Sequence, residues 1–248
     1  PCGTLFPYTT LFRSVMLLLS PCLMVAQASG ARQNVFAPLL EQLRQDGFDE
    51  KILNRYYTRS VTFETDSISR FFRHSEASLN YDQFLSAASI RRARAYMKKY
   101  VVWLEKAEAR FGVNKEIITA ILLVETRLGT FLGRDSALSI LSSMAVLADP
   151  TVRDMFWETI YETTNMEQDA FRAKAEKKST WAYTELKALL TYSQLQDLSN
   201  PAAIKSSYAG AIGIPQFMPS NIITLAIDAD EDGRVDLFTH PDAILSVA

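Results

Sequence analysis

The chain has 248 residues, 48% of them hydrophobic, which is enough for a buried core and excludes a solvated, disordered polymer. Its 26 Lys and Arg against 28 Asp and Glu leave a net charge of -2. That balance excludes the basic footprint of a nucleic-acid binder and disfavours any polyanionic partner.

Residues 1–28 read as two pieces outside any fold. Residues 4–14, TLFPYTTLFRS, resemble the translation of a DNA-sequencing adapter, so about the first 14 are set aside as an artefact. Residues 15–26, VMLLLSPCLMVA, have the length of a signal-peptide apolar region, and Ala26-Gln27-Ala28 follows as a cleavage site. Export is the expectation. The run is shorter than the about 20 apolar residues that cross a bilayer, so no transmembrane span is expected. Cys22, after Leu19-Ser20-Pro21, offers lipid acylation as the alternative, although Pro21 fits that signal poorly. Cys2 and Cys22 are the only cysteines, so the mature chain has neither disulfide nor thiolate chemistry. His74 and His240 stand apart from each other and from any thiol; zinc is not expected, and both read as surface residues.

From residue 29 onward the pattern is helical, without period-2 runs or repeats, so the fold class is mainly α. Residues 35–44 and 89–110 carry apolar residues at three- and four-residue intervals, in the second case Ala93, Met97, Tyr100, Val101, Leu104 and Ala107. Residues 63–80, with Arg70, Phe71, Phe72 and Arg73, lack that regularity and read as a covering segment. A helix beginning near Val152 is expected to end at the basic residues 172–178, where cations suit a helix C-terminus. Residues 180–195 form another, with Tyr183, Leu186, Leu190 and Tyr192 as packing positions, closed by the turn at Asn200-Pro201.

Residues 111–129, FGVNKEIITAILLVETRLG, are the most informative segment. Asn114 is the expected N-cap and Gly129 the expected stop. Ile118, Ile121, Leu122 and Glu125 follow the i, i+3, i+4, i+7 spacing of a buried face. A carboxylate there costs several kcal/mol unless it is paired or neutralised. Two readings stay open: a catalytic acid whose pKa is raised by apolar surroundings, or a structural ion pair with Arg127 or Arg134.

Val124-Glu125-Thr126-Arg127-Leu128-Gly129, followed by residues 208–220, YAGAIGIPQFMPS, resembles the membrane-bound lytic murein transglycosylase B family, from about residue 35 to the end. The resemblance implies a lysozyme-like lytic transglycosylase fold and a periplasmic enzyme acting on peptidoglycan glycan strands, with cell-wall synthesis or division proteins as possible partners. It implies that Glu125 is the sole acid and base, that Ser207 and Gln216 bind substrate and that Tyr208 stacks on a sugar. No organic cofactor is implied. Gly210 and Gly213 are expected to clear space for a sugar ring, and Pro215 and Pro219 to stiffen the turn presenting Gln216. Ile214 stands where relatives carry an aromatic residue, which removes a stacking partner. A hydrolytic muramidase and a non-catalytic calcium-dependent peptidoglycan-binding protein are the alternatives.

Asp228, Asp230, Asp232 and Asp236 occupy positions 1, 3, 5 and 9 of an EF-hand-like loop, with Gly233 at position 6. Position 12 is Thr239 rather than glutamate, so the standard pattern is incomplete. The family resembled uses a lengthened loop, which brings in Asp242. Structural Ca²⁺ is expected at residues 228–242, on Asp228, Asp230, Asp232, the carbonyl of Arg234 and Asp242. Relatives continue beyond the last residues, so residues 29–248 are expected to be a catalytic domain incomplete at its C-terminus.

Overall fold

The computed structural model describes residues 35–73 and 80–248. The adapter-like piece, the signal peptide, Cys22 and His74 lie outside them. The described chain runs α1 Ala37–Gln45, α2 Glu50–Tyr56, α3 Thr65–Arg73, α4 Ala87–Lys99, α5 Val101–Phe111, α6 Lys115–Thr126, β1 Asp135–Ser136, α7 Ala137–Ala145, α8 Pro150–Ile160, α9 Gln168–Leu195, β2 Lys205–Ser206, α10 Pro219–Leu225 and α11 His240–Val247. The mainly α expectation holds. The only sheet among the described residues is the antiparallel pair β1–β2, with Asp135 opposite Ser206.

Two apolar cores organise the helices. The larger surrounds α7, all nine residues of which are buried, and draws side chains from α1, α2, α3, α8 and α9. A helix buried on every side is expected to be apolar throughout, yet α7 carries three serines. Each has a partner: Ser139 Oγ accepts from the Thr62 amide (3.2 Å), Ser143 Oγ from the Glu64 amide (3.0 Å), and Ser142 Oγ shares a 2.7 Å bond with the Tyr57 hydroxyl. Satisfied in this way, the hydroxyls fasten the 57–64 segment to the core instead of opposing burial.

The smaller core joins Tyr96 of α4, Leu104 and Ala107 of α5, Ile118 and Leu122 of α6, and Ala243, Ile244 and Leu245 of α11. Ile214 belongs to it, whereas Ile212 belongs to the larger one. The segment between them therefore runs along the seam of the two cores.

Several expected boundaries move. The periodicity of residues 89–110 suggests one helix, but it breaks at Tyr100 (φ −109°, ψ 25°) into α4 and α5. No Gly or Pro marks the break; it places the Tyr100 ring 4.2 Å from the His240 ring, centroid to centroid. The basic residues 172–178 end no helix, since α9 runs unbroken for 28 residues with no Gly or Pro inside it. Its cations find partners along the way: Arg172 meets Asp154 at 3.2 Å and Lys174 donates to the Phe72 carbonyl at 2.8 Å. Residues 65–73 prove to be an amphipathic helix that buries Ile68 and Phe72.

Candidate active site

Glu125 lies in the last turn of α6, whose buried face is Ile118, Thr119, Leu122, Leu123 and Thr126. Glu125 and Ile121 stand on the rim of that face, both exposed. The expected place on the buried stripe is thus corrected. A step of seven residues falls about 20° short of two full turns, which carries Glu125 from the line of Ile118 away from the buried residues Thr119, Leu122 and Thr126. The ion-pair reading is not realised: Arg127 donates instead to Gln83 Oε1 at 3.2 Å, and among the described residues Glu125 has neither hydrogen bond nor ion pair. Although much of the residue is accessible, the protein around its carboxyl desolvates it enough to push its pKa above the ordinary value of 4.5.

The expected stop at Gly129 comes earlier. After Thr126 three successive residues are left-handed, Arg127 (φ 52°), Leu128 (φ 62°) and Gly129 (φ 83°). The first two are not glycine, and each costs about 1–2 kcal/mol in that conformation. Gln216 is also left-handed (φ 54°), so backbone strain gathers at the two motifs read from the sequence.

The structure brings those motifs together through Thr126. Its buried Oγ1 donates to the Ile214 carbonyl at 2.8 Å and accepts from the Gly129 amide at 3.0 Å. Sequence reasoning gave Thr126 no role. A hydroxyl in register with Thr119 and Leu122 on the buried face was the available signal.

The loop that carries Gln216 is held at both ends. Ser207 Oγ accepts from the amides of Ala209 (3.4 Å) and Ala211 (3.2 Å), so this predicted ligand is also a loop brace that keeps its proton to donate. At the other end Ser220 donates through its amide and hydroxyl to the buried carboxylate of Glu185 (2.9 and 2.8 Å). Tyr208 is half-buried. Gln216 Nε2 folds back onto the Gly213 carbonyl at 2.8 Å, leaving Oε1 without a partner among the described residues.

The expected role of Gly210 and Gly213 is overturned. A Cβ on Gly210 would lie 2.8 Å from Leu141 Cδ2, and one on Gly213 would lie 2.6 Å from both Cβ and O of Leu237. These glycines admit the protein's own core, not a sugar. Ile214 is 1% exposed, so this position faces the smaller core and offers no stacking surface to anything in the groove. His240 is half-buried rather than fully on the surface: its Nδ1 lies 3.0 Å from the Tyr96 hydroxyl, and its ring rests against Tyr100.

In the acidic loop, carboxylate oxygens of Asp228, Asp230 and Asp242 all lie within 4.8 Å of one another. Asp232, predicted with them, is outside this cluster, and its Oδ1 accepts from the Arg234 amide at 2.8 Å. Asp242 is 2% exposed and accepts from the amides of Ala229 and Asp236. Burial, then the charges of Asp230 and Asp228, push its pKa up against those two bonds. An all-oxygen cluster with one buried member fits a hard divalent cation such as Ca²⁺, whose charge would reverse that penalty. Lys106 braces the loop from α5 by donating to the Ala229 carbonyl at 2.8 Å. A cavity of about 550 Å³ opens between the end of α9 and residues 234–238, lined by Tyr192, Gln196, Lys205 and Phe238 among others, but by none of Glu125, Ser207, Tyr208 or Gln216.

A helical fold with a lone carboxyl, whose neighbour Thr126 bonds to the strained loop carrying Gln216, is that of the lytic transglycosylases. A crystal structure of the soluble lytic transglycosylase SltB1 from Pseudomonas aeruginosa matches with a TM-score of 0.67 and 27% identity, over 86% of this chain and 64% of that one. An Escherichia coli lytic transglycosylase solved in complex with calcium shares the fold at a TM-score of 0.67 and 24% identity, over 86% of this chain and 60% of that one. The chain belongs to the transglycosylase SLT domain family, whose model matches residues 31–248. Membrane-bound lytic murein transglycosylase B of Escherichia coli is 26% identical over 166 residues, 67% of this chain. The chain spans 38% of the length of that curated relative.

Proposed function

We propose that this protein cleaves the β-1,4 bond between N-acetylmuramic acid and N-acetylglucosamine in peptidoglycan without consuming water, leaving 1,6-anhydro-muramoyl ends. The observation that carries this reading is Glu125: a desolvated carboxyl without ion-pair partner, joined through its neighbour Thr126 to the loop that presents Gln216.

Its raised pKa keeps Glu125 protonated into a range where an ordinary carboxyl has ionised, so it donates its proton to the glycosidic oxygen as the bond to C1 breaks. The resulting carboxylate then accepts the proton of the muramoyl 6-hydroxyl as that oxygen attacks C1. The 1,6-anhydro ring closes and the acid is restored, so one group serves both steps. An intramolecular nucleophile has the advantage of proximity and needs no second carboxylate to activate water or to form a glycosyl-enzyme bond. Gln216 Oε1 and the Ser207 proton are the polar groups offered to the sugar, and Tyr208 the aromatic one.

In this reading Asp228, Asp230 and Asp242 hold a structural Ca²⁺, with the Arg234 carbonyl as a further oxygen of the same loop. The ion would supply charge compensation to Asp242 and take no part in the chemistry. Export to the periplasm rests on residues 15–28 and on the membrane-bound description of the curated relative; among the described residues no helix is long and apolar enough to cross a membrane. Digestion of purified murein followed by mass analysis of the muropeptides tests the reaction. Anhydro ends support it, reducing ends would make the protein a hydrolytic muramidase, and no release would leave only binding.

A further inference from the structure

Glu125 and Gln216 are far apart in sequence, and the side chain next to Glu125, that of Thr126, bonds to the loop that carries Gln216. Thr126 is 1% exposed, and both faces of its hydroxyl are used: the proton goes to the Ile214 carbonyl, 88 residues away, and a lone pair takes the Gly129 amide. Each partner is itself fixed. Ile214 donates its amide to the Leu237 carbonyl at 2.8 Å, and its side chain abuts Gly129, where an added Cβ would meet Ile214 Cδ1 at 3.3 Å. Gly129 closes the left-handed turn that terminates α6. Glu125, by contrast, has no hydrogen bond among the described residues, so its stance is set by the backbone on which it stands. Outside the helix's own ladder that backbone is held through Thr126, whose carbonyl accepts the Phe131 amide at 3.0 Å and whose hydroxyl alone reaches across to the Ile214 carbonyl.

We infer that Thr126 is the positioning residue of this site, its hydroxyl holding the end of α6 against the Gln216 loop and so fixing where the Glu125 carboxyl stands relative to the bound sugar. This rests on the reading of Glu125 as the acid and base. Valine reproduces the shape of threonine without the hydroxyl, and serine keeps the hydroxyl without the methyl, so the two substitutions separate bonding from packing.

The test compares Thr126→Val and Thr126→Ser in the full chain, below their melting temperatures, by kcat and KM on soluble glycan strands. Alongside, the Glu125 carboxyl is titrated by carbon NMR, its signal assigned by its loss in Glu125→Gln. A displacement on the order of 1 Å costs up to about a hundredfold in rate, so Thr126→Val is expected to lower kcat about 10- to 100-fold with KM little changed. The titration midpoint of Glu125 is expected to move with it, while Thr126→Ser stays within about threefold of the parent in kcat and titrates as the parent does. A residue that served stability alone would lower the melting temperature and leave kcat and titration as they were; that result overturns the inference, as does a serine variant as impaired as the valine one. Where Thr126→Val does not fold, Thr126→Ala supplies the same comparison. A parent chain that releases no product, but whose Glu125 titration moves in valine and not in serine, would sink the functional reading and leave the positioning role standing.

Discussion

Glu125 combines two properties that stability alone would not select: its carboxyl is desolvated, and nothing among the described residues compensates it. A carboxyl whose folded pKa lies above its unfolded one adds no penalty below the unfolded value and burdens the fold increasingly as pH rises through the folded value. Glu125→Gln removes the charge and keeps the shape. The variant is therefore expected to melt with the parent at pH 3 and above it at pH 7, the gap opening above the ordinary glutamate value of 4.5. Thermal melts across that range check it, and a variant less stable than the parent at neutral pH would mean that the carboxylate has a stabilising partner. Glu125 was legible from its apolar neighbours and from the motif around it, but its orientation was not. Spacing by three and four placed it on the buried stripe, whereas the seven-residue drift and the early end of α6 put it on the rim.

Among the elements, helices with capping residues and apolar stripes were readable, and what tertiary contact decides was not. The break at Tyr100 has no local breaker, and at it an aromatic ring packs on His240, a contact 140 residues away in sequence. The fusion of residues 168–195 into one helix follows from cations that find partners on neighbouring segments instead of a terminus. The glycine-rich loop is the clearest instance: its composition indicated close approach, but not what approaches. Gly213 sits at φ 75° with Leu237 where a Cβ would be. Gly213→Ala is expected to cost about 2–5 kcal/mol through left-handed strain and overpacking, against about 1–2 kcal/mol from left-handed strain alone if the loop only made room for a ligand. Urea unfolding measures it. A loss no larger than the about 1–2 kcal/mol of left-handed strain would mean that Leu237 does not fill the space beside that glycine.

At the scale of the molecule, two cores meet at a seam, and the loop carrying Gln216 runs along it, with Ile212 in one core and Ile214 in the other. The acidic loop feeds the same seam, since Leu237, which accepts the Ile214 amide, follows Asp236, whose own amide is held by Asp242. An ion bound at Asp228, Asp230 and Asp242 in the folded state alone would stabilise the whole unit, by about 2.7 kcal/mol at a hundredfold excess over Kd. Added Ca²⁺ is expected to raise the melting temperature and a chelator to lower it, with Asp242→Asn insensitive to both. Equal melting in calcium and chelator would remove the ion from the account. The motif spacing announced this loop, but not that Asp228, Asp230 and Asp242 would cluster while Asp232 bonds back to Arg234.

The central claim is that the attacking oxygen belongs to the substrate and that Glu125 alone moves the protons. Murein digested in heavy-oxygen water, with the products weighed, tests it most directly. The account predicts muropeptides ending in 1,6-anhydro-muramic acid with no heavy oxygen at C1, formed by the parent and lost about 10²- to 10⁴-fold in Glu125→Gln. Reducing ends carrying the heavy label, or anhydro products undiminished in Glu125→Gln, would contradict it.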